Sequence, residues 1–256
     1  MTTPRVFIIR HGETEWSLSG RHTGVSDIPL TANGERRVRA TGQAMVGDDR
    51  LIVPKKLAHI YVSPRQRAQR TFELLNLGIP TSELPWTPHG DQPAPRDGLS
   101  GCAAKVEVNE DVREWDYGEY EGVTSPNIRK LRAEQGYEGY WDIWKDGCPW
   151  GEMPQDVTER LDRLIHEIRE KYHKPVIGKP KGEHPNGDVL IVAHGHILRA
   201  LALRWTGREL QDGPAFLLEA GGVGTLSYEH HNIEEPAILL GGAFEVDTDE
   251  TGMPLS

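Results

Sequence analysis

The chain has 256 residues, of which 37% are hydrophobic and 27% charged, as is typical of a globular protein with a well-buried core. Its net charge of −10 argues against general nucleic-acid binding, although a few converging arginines still suit a small anion. No apolar run reaches the roughly 20 residues that span a bilayer, and the N-terminus lacks a signal-peptide segment. Cys102 and Cys148 are too few for a disulfide scaffold and lack zinc-ligand spacing, so we expect a cytoplasmic protein without a bound metal.

The first third of the chain predicts two strands, each followed by a helix. Apolar residues predict a strand over residues 5–10, and Thr31 is a suitable N-cap for the next helix. A second strand is expected over 57–62, and Ser63-Pro64 is expected to start another helix, with proline in the first turn. The first helix is supported by residues at helical spacing, namely Val38, Thr41, Gly42 and Met45.

The stretch 78–105 has a different composition and predicts no long regular element. Prolines and glycines interrupt it every few residues, so we expect a surface insertion in preference to a flexible lid. These interrupting residues are Pro80, Pro85, Pro88, Pro93, Pro95, Gly90, Gly98 and Gly101.

The second half predicts a long helix and three more strands. After a loop over 174–186, a strand over 189–193 leads into a helix that ends at Trp205, and strands follow at 223–228 and 237–240. With no repeat or linker visible, we expect a single domain over the whole chain, a three-layer α/β/α sandwich with a mostly parallel central sheet. The long helix is indicated by an apolar stripe of Val157, Leu161, Leu164, Ile165, Ile168 and Tyr172.

Two of the predicted strands end in a histidine followed by a glycine. The run Val6–Ile9 leads into Arg10, His11 and Gly12, and the strand over 189–193 leads into His194. Carboxyl ends of buried parallel strands are where α/β folds collect ligand-binding groups. We therefore expect His11 and His194 to face one pocket, although two ordinary strand ends are the simpler alternative.

Three arginines near the start of the second predicted helix suit a phosphate. Arg65, Arg67 and Arg70 follow a strand, close to a helix N-terminus that itself favours an anion. A guanidinium matches phosphate geometry, and a neutral imidazole can attack phosphorus. Taken alone, however, these arginines also fit a solvated basic helix face.

A phosphate-transfer site also needs an acid to protonate the leaving oxygen. Glu114 lies between aromatic residues that are expected to desolvate it and so favour its protonated form. Asp116 and Glu119 lie in the same segment, and spacing alone does not select among the three.

Together these motifs resemble the histidine phosphatase superfamily, whose members have a phosphoglycerate mutase-like fold. The resemblance implies that His11 is the nucleophile, that Arg10, Arg67 and His194 line the phosphate pocket, and that Glu114 is the general acid and then the base. It implies no metal or other cofactor. Ser17 departs from the pattern, because many members have asparagine there. The motifs are Arg10-His11-Gly12-Glu13-Thr14, Asp27-x-Pro29-Leu30-Thr31, Ser63-Pro64-x-x-Arg67-Ala68 and Ala193-His194-Gly195.

A narrower resemblance, to the fungal sedoheptulose bisphosphatases of this superfamily, implies a phosphorylated sugar as the partner molecule, with no nucleic acid or membrane. The expected reaction converts sedoheptulose 1,7-bisphosphate to sedoheptulose 7-phosphate. Arg199, His230 and His231 are candidates to hold the second phosphate, and the resemblance places Thr23, Gly24 and Tyr117 near the substrate. It is carried by Trp144–Cys148, Ala193–Arg199 and Ala220–Asn232.

Other interpretations stay open from the sequence. A broad-specificity phosphatase or a phosphoglycerate mutase has the same motifs, and a pseudoenzyme binds phosphorylated ligands without turnover. A zinc site built from His194, His196, His230 and His231 is a fourth option. A homo-oligomer is also possible, since the sequence does not determine the oligomeric state.

Overall fold

A six-stranded sheet forms the centre of the computed structural model, which describes residues 1–96, 99, 101–180, 182 and 185–240. The strand order is β3-β2-β4-β1-β5-β6. The first four strands of that order are parallel to one another, β5 is antiparallel to β1, and β6 is antiparallel to β5. The strands are β1 (Val6–Arg10), β2 (Leu57–Val62), β3 (Lys105–Val108), β4 (Asp188–Ala193), β5 (Val223–Tyr228) and β6 (Pro236–Leu239).

Helices cover both faces of the sheet and give the predicted α/β/α sandwich. In β1, Val6 and Ile8 pack into one apolar core with the helices over residues 154–168 and 195–205, whereas Phe7 and Ile9 pack into a second core with the helices over 32–45 and 66–75. Within the described ranges, no helix is both long and apolar enough to cross a bilayer. The helices are α1 (Glu15–Ser19), α2 (Ala32–Met45), α3 (Gln66–Leu75), α4 (Ser125–Glu134), α5 (Ile143–Asp146), α6 (Pro154–Ile168) and α7 (Gly195–Trp205).

Most of the predicted elements match the structure, and the start of α3 is the clearest correction. The helix begins at Gln66, with Arg65 as its N-cap, so Pro64 precedes the helix and does not lie in its first turn. The reason lies in Ser63, whose backbone N–H donates to the carbonyl oxygen of Val192 at 3.0 Å. That bond keeps Ser63 at the end of the sheet, so the helix begins three residues later, at Gln66.

The proline-rich stretch 78–105 is tied to α3 through the buried carboxylate of Glu73. Among its described residues only Thr81–Glu83 forms a short 3-10 helix before β3 begins. The Glu73 carboxylate accepts hydrogen bonds from the Trp86 indole, the His89 backbone and the Gln92 amide at 2.9 to 3.1 Å. The described part of the stretch is therefore docked on α3. Asp97, Gly98 and Ser100 lie outside the described residues.

Removing this carboxylate should destabilise the protein. Glu73→Ala leaves the donors of Trp86, His89 and Gln92, which are part-buried in these hydrogen bonds, without their acceptor, so we expect the free energy of unfolding to fall by about 2 kcal/mol or more. The control is Glu134→Ala, which removes a side chain that is 60% exposed on α4 and should change stability by less than about 0.5 kcal/mol. Urea denaturation measures both, and equal small effects would contradict this account of the insertion.

Candidate active site

Parallel pairing of β1 and β4 brings the two predicted histidines together. Arg10 and Ala193 are partners in the register, and the His11 backbone N–H donates to the Ala193 carbonyl oxygen at 2.9 Å. The two strands therefore end at the same position along the sheet, and the side chains that follow, His11 and His194, meet at the carboxyl ends of the parallel strands. The ring centroids of His11 and His194 lie 5.1 Å apart.

A pocket of about 180 Å³ opens above His11. It lies at the carboxyl ends of the parallel strands, between the first turn of α7, α1 and the loop that follows α1. Of the predicted catalytic residues, Arg10, His11 and Glu114 line it directly. The complete lining is Arg10, His11, Thr14, Ser17, Gly20, Arg21, His22, Thr23, Glu114, Tyr117, Gly195, His196 and Arg199.

His11 has the protonation pattern of a nucleophile. Its Nδ1 lies 2.7 Å from the Gly12 carbonyl oxygen, which only accepts, so Nδ1 carries the proton and Nε2 keeps its lone pair. Burial, together with the charges of Arg67 and Arg10, holds the pKa of His11 well below its ordinary value. The imidazole is therefore neutral near pH 7, as attack on phosphorus requires.

His194 lies behind His11 with both ring nitrogens engaged. Arg67 Nε donates to its Nδ1 at 3.1 Å, so Nε2 is the protonated nitrogen and donates to Ser63 Oγ at 2.6 Å. The side chain is fully buried and forms no part of the pocket wall. Its position fits support of the His11 ring better than direct contact with a ligand.

Arg67 is buried with His194 and holds the loop after α1 in place. Its Nη1 donates to the carbonyl oxygen of Ser26 at 2.8 Å, and its Nη2 donates to those of Thr23 and Gly24 at 3.0 and 3.2 Å. Burial lowers the pKa of Arg67 to about 10, which still leaves it charged at neutral pH. Arg67, which the sequence predicted to bind phosphate, thus has its donors largely occupied by protein acceptors. It lies outside the pocket wall, and its positive charge acts on the pocket from that position.

Arg10 carries a donor that has no protein partner. Its Nη1 donates to the Leu218 carbonyl oxygen at 2.8 Å, whereas its buried Nε has no acceptor among the described residues. A Cβ added to Gly195 would lie 3.3 Å from the Arg10 guanidinium carbon, so this glycine leaves room for the arginine. An unpaired buried cationic donor beside the neutral imidazole of His11 is suited to an anion.

Glu114 occupies the N-terminus of α7, next to the pocket. Its Oε1 accepts from the backbone N–H groups of Trp115 and Ile197 at 3.0 and 2.9 Å, and its Oε2 accepts from that of His196 at 3.0 Å. Oε2 accepts one bond and Oε1 two, so Oε2 has the greater capacity to carry a proton. Of the three acids that the sequence left open, only Glu114 lines the pocket; Asp116 and Glu119 do not.

Arg199 adds a second cation to the pocket wall. Its Nε donates to the Gly195 carbonyl oxygen at 2.9 Å, and its guanidinium carbon lies 5.5 Å from the ring centroid of Trp144. Neither terminal nitrogen has an acceptor, and no carboxylate pairs with it, within the described part of the chain. Burial lowers the pKa of Arg199, while the nearby charge of Glu114 opposes that shift.

The other residues expected near the substrate differ in their placement. Thr23 and Tyr117 line the pocket, and the Tyr117 hydroxyl lies 2.7 Å from His196 Nδ1. Gly24 lies just outside it, with its N–H donating to the Glu121 carboxylate. A Cβ at Gly24 would lie 2.3 Å from the Trp115 carbonyl oxygen, so a close backbone approach requires glycine there.

The structure contradicts the assignment of His230 and His231 as substrate-binding residues. Because β5 is antiparallel to β1, the end of β5 lies beside the start of β1, at the opposite edge of the sheet from His11. The His231 ring is hydrogen-bonded to Thr3 Oγ1. Since an extended chain rises about 3.3 Å per residue, the segment from Thr3 to His11 places this turn roughly 26 Å from the pocket.

The same placement rules out the four-histidine zinc site. His230 instead pairs with Glu235 at 2.7 Å in an exposed turn, whereas His194 is buried in the core. Among the described residues, the group able to hold a metal ion is Glu229, His230 and Glu235, which are all exposed.

Several lining residues were not identified from the sequence. His22 lines the pocket without belonging to a motif, and His196, which the sequence offered only as a zinc ligand and as part of the Ala193–Arg199 motif, lines it as well. Thr14 and Ser17 also line it and cap α1 reciprocally, with Ser17 Oγ accepting from the Thr14 N–H at 2.9 Å. Ser17, the departure from the motif, therefore fixes the start of α1.

Comparison with known proteins agrees with this geometry. The family model of the histidine phosphatase superfamily, branch 1, matches residues 6–87 and 97–237. The chain belongs to this superfamily. It is accordingly an enzyme, a phosphoric monoester hydrolase, and the resemblance inferred from its motifs is confirmed.

Individual relatives cover nearly the whole of this histidine phosphatase. Sedoheptulose 1,7-bisphosphatase of Saccharomyces cerevisiae is 36% identical, covering 97% of this chain and 96% of its own. An acid phosphatase of Mycobacterium tuberculosis is 31% identical, covering 92% and 91%. A solved M. tuberculosis structure has a TM-score of 0.64 at 28% identity, covering 93% and 97%. Phosphoglycerate mutase of Bacillus anthracis shares the fold, with a TM-score of 0.63 at 18% identity and coverage of 94% and 93%.

Titration should separate the pocket histidines from the exposed one at the opposite edge. The pKa of His11 and His194 is lowered by burial, whereas Glu235 raises the pKa of His230. At pH 6 we expect imidazole ¹⁵N shifts to show neutral His11 and His194 and a charged His230. An ordinary titration of His11 near pH 6.5 would contradict the geometry described above.

The lowered pKa values of His11 and His194 also determine how the stability of the protein changes with pH. As the pH falls below about 6.5, the unfolded chain binds protons that the folded His11 and His194 do not bind. The free energy of unfolding should therefore fall with pH, by up to about 1.4 kcal/mol per pH unit for each such histidine.

Proposed function

We propose that this histidine phosphatase is a metal-independent sugar bisphosphatase that converts sedoheptulose 1,7-bisphosphate to sedoheptulose 7-phosphate in the cytoplasm. The observation that supports it most strongly is the charge of the pocket. Arg10, Arg21 and Arg199 line it without a carboxylate partner among the described residues, on a chain whose net charge is −10. This excess of positive charge suits a small molecule with two phosphate groups. The 36% identity to the yeast bisphosphatase supports the same substrate.

In the proposed first step, Nε2 of His11 attacks the phosphorus of the substrate. An N–P bond forms, the P–O bond to the sugar breaks, and Glu114 donates a proton to the leaving oxygen. Arg10 and the charge of Arg67 stabilise the transferring oxygens.

In the second step, a water molecule attacks the phosphohistidine. Glu114, now ionised, accepts a proton from the water, the N–P bond breaks, and inorganic phosphate leaves. The three backbone N–H groups that hold Glu114 stabilise this ionised form. Glu114 therefore serves both steps from one position.

A broad-specificity phosphatase is the second candidate. The observation in its favour is the 31% identity to the mycobacterial acid phosphatase. Initial rates over a panel of sugar monophosphates and bisphosphates, with chelator present, distinguish the two. A marked preference for bisphosphates supports the first proposal, and similar rates across the panel support the second.

Loss of the nucleophile should abolish turnover. His11→Gln keeps a similar size but cannot form a phosphohistidine, so we expect phosphate release to fall at least about a thousandfold. A base-quenched reaction should show a phosphoenzyme with the unmodified protein and none with the variant. Turnover that survives in His11→Gln would refute the mechanism.

Loss of the Arg199 charge should impair turnover of a bisphosphate more than turnover of a monophosphate, because we assign Arg199 to the second phosphate. Arg199→Leu removes a charge-assisted contact, so we expect kcat/KM for the bisphosphate to fall about 10- to 100-fold more than that for p-nitrophenyl phosphate. Arg199→Lys should restore part of the loss. The control is Arg208→Leu, an exposed position just beyond α7. Equal losses on the two substrates would remove this assignment.

A further inference from the structure

A second cavity, here called the side chamber, lies next to the active-site pocket. Its volume is about 140 Å³, and it shares two wall residues, His22 and His196, with the pocket. The centroids of these two rings are 5.8 Å apart, so the imidazoles form the partition between the two spaces. The side chamber is lined by His22, Ser125, Arg129, Tyr140, Trp141, Asp142, Ile143 and His196.

The partition is uncharged at neutral pH. Burial lowers the pKa of His22 to about 4 and holds that of His196 well below its ordinary value. His22 Nε2 lies 3.1 Å from Ser125 Oγ, and His196 Nδ1 lies 2.7 Å from the Tyr117 hydroxyl. The other nitrogen of each ring has no partner within the described part of the chain. Neutral imidazoles both donate and accept, which matches a sugar hydroxyl.

The charges of the side chamber differ from those of the pocket. Its wall has one cation, Arg129, and one anion, Asp142, so its formal charges cancel. The Arg129 guanidinium carbon lies 4.8 Å from the ring centroid of Tyr140. Asp142 accepts from the backbone N–H of Trp144 at 3.1 Å. This balance is unfavourable for a phosphate dianion and favourable for neutral groups that hydrogen-bond with both kinds of partner.

We infer that the side chamber binds the uncharged, hydroxyl-bearing carbons of the substrate, while the active-site pocket binds its phosphates. This inference rests on the proposed function and assigns a specificity-determining role to Ser125 and to the partition. The hydroxymethine carbons extend from the pocket past His22 and His196, which line both spaces, into the side chamber, where Ser125 lies. The enzyme would thus distinguish a sugar bisphosphate from other bisphosphates of equal length.

Filling the side chamber tests this role. Ser125→Leu places a larger apolar group in it, and Ser125→Ala removes only the hydroxyl. Two substrates are compared, namely sedoheptulose 1,7-bisphosphate and heptane-1,7-diol bisphosphate, which has the same chain length without the other hydroxyls. Lys130→Leu is the control, because this side chain is 78% exposed on the same helix.

The expected result is a selective loss. For Ser125→Leu, kcat/KM for the sugar bisphosphate should fall about tenfold more than that for the diol bisphosphate, the size of one or two lost hydrogen bonds. Ser125→Ala should show the same direction at about two- to fivefold, and it covers the case in which the leucine variant does not fold. Lys130→Leu should change neither value.

Two outcomes separate this inference from the proposed function. If the unmodified enzyme releases no phosphate from either bisphosphate, the proposed function fails. If it hydrolyses both and the Ser125 variants lower both values equally, the proposed function stands and the side chamber does not recognise hydroxyls. A loss confined to the sugar bisphosphate supports both.

Discussion

The buried guanidinium of Arg67 is the interaction on which the rest of the site depends. It joins α3, the loop after α1 and the end of β4, through bonds to the carbonyl oxygens of Ser26 and Thr23 and to His194. These acceptors are neutral, so they satisfy its donors without cancelling its charge. A buried cation of this kind lowers the proton affinity of nearby imidazoles and attracts an anion into the pocket.

A helix N-terminus at the end of a strand is a common anion site, and here a carboxylate fills it. Glu114 accepts the backbone N–H groups of His196 and Ile197 in the first turn of α7. A phosphate is therefore left to the arginines and not to the helix. This division places Glu114, the one acid among the described residues of the pocket wall, beside the point where the proposed mechanism protonates the leaving oxygen.

The sequence is sufficient to predict that His11 and His194 meet, because both follow apolar runs typical of parallel strands, whose carboxyl ends share one edge. It is not sufficient to place His230 and His231, because a motif carries no information on strand direction. Only the antiparallel pairing of β5 with β1 shows that the end of β5 lies at the other edge. The side chamber was also beyond prediction, since it depends on residues 140–143 packing against α4, and no periodic pattern marks that contact.

The contrast between the pocket and the side chamber constrains the kind of ligand that fits both. Arg10 and Arg199 leave the pocket with excess positive charge, whereas Arg129 and Asp142 balance each other in the side chamber. A ligand charged along its whole length would place charge in the side chamber, where Arg129 and Asp142 balance each other and provide no net attraction. An uncharged sugar would leave the arginines of the pocket unpaired. A molecule with anionic ends and a neutral, hydroxyl-rich middle satisfies both surfaces at once, and the proposed sugar bisphosphate substrate has this distribution of charge.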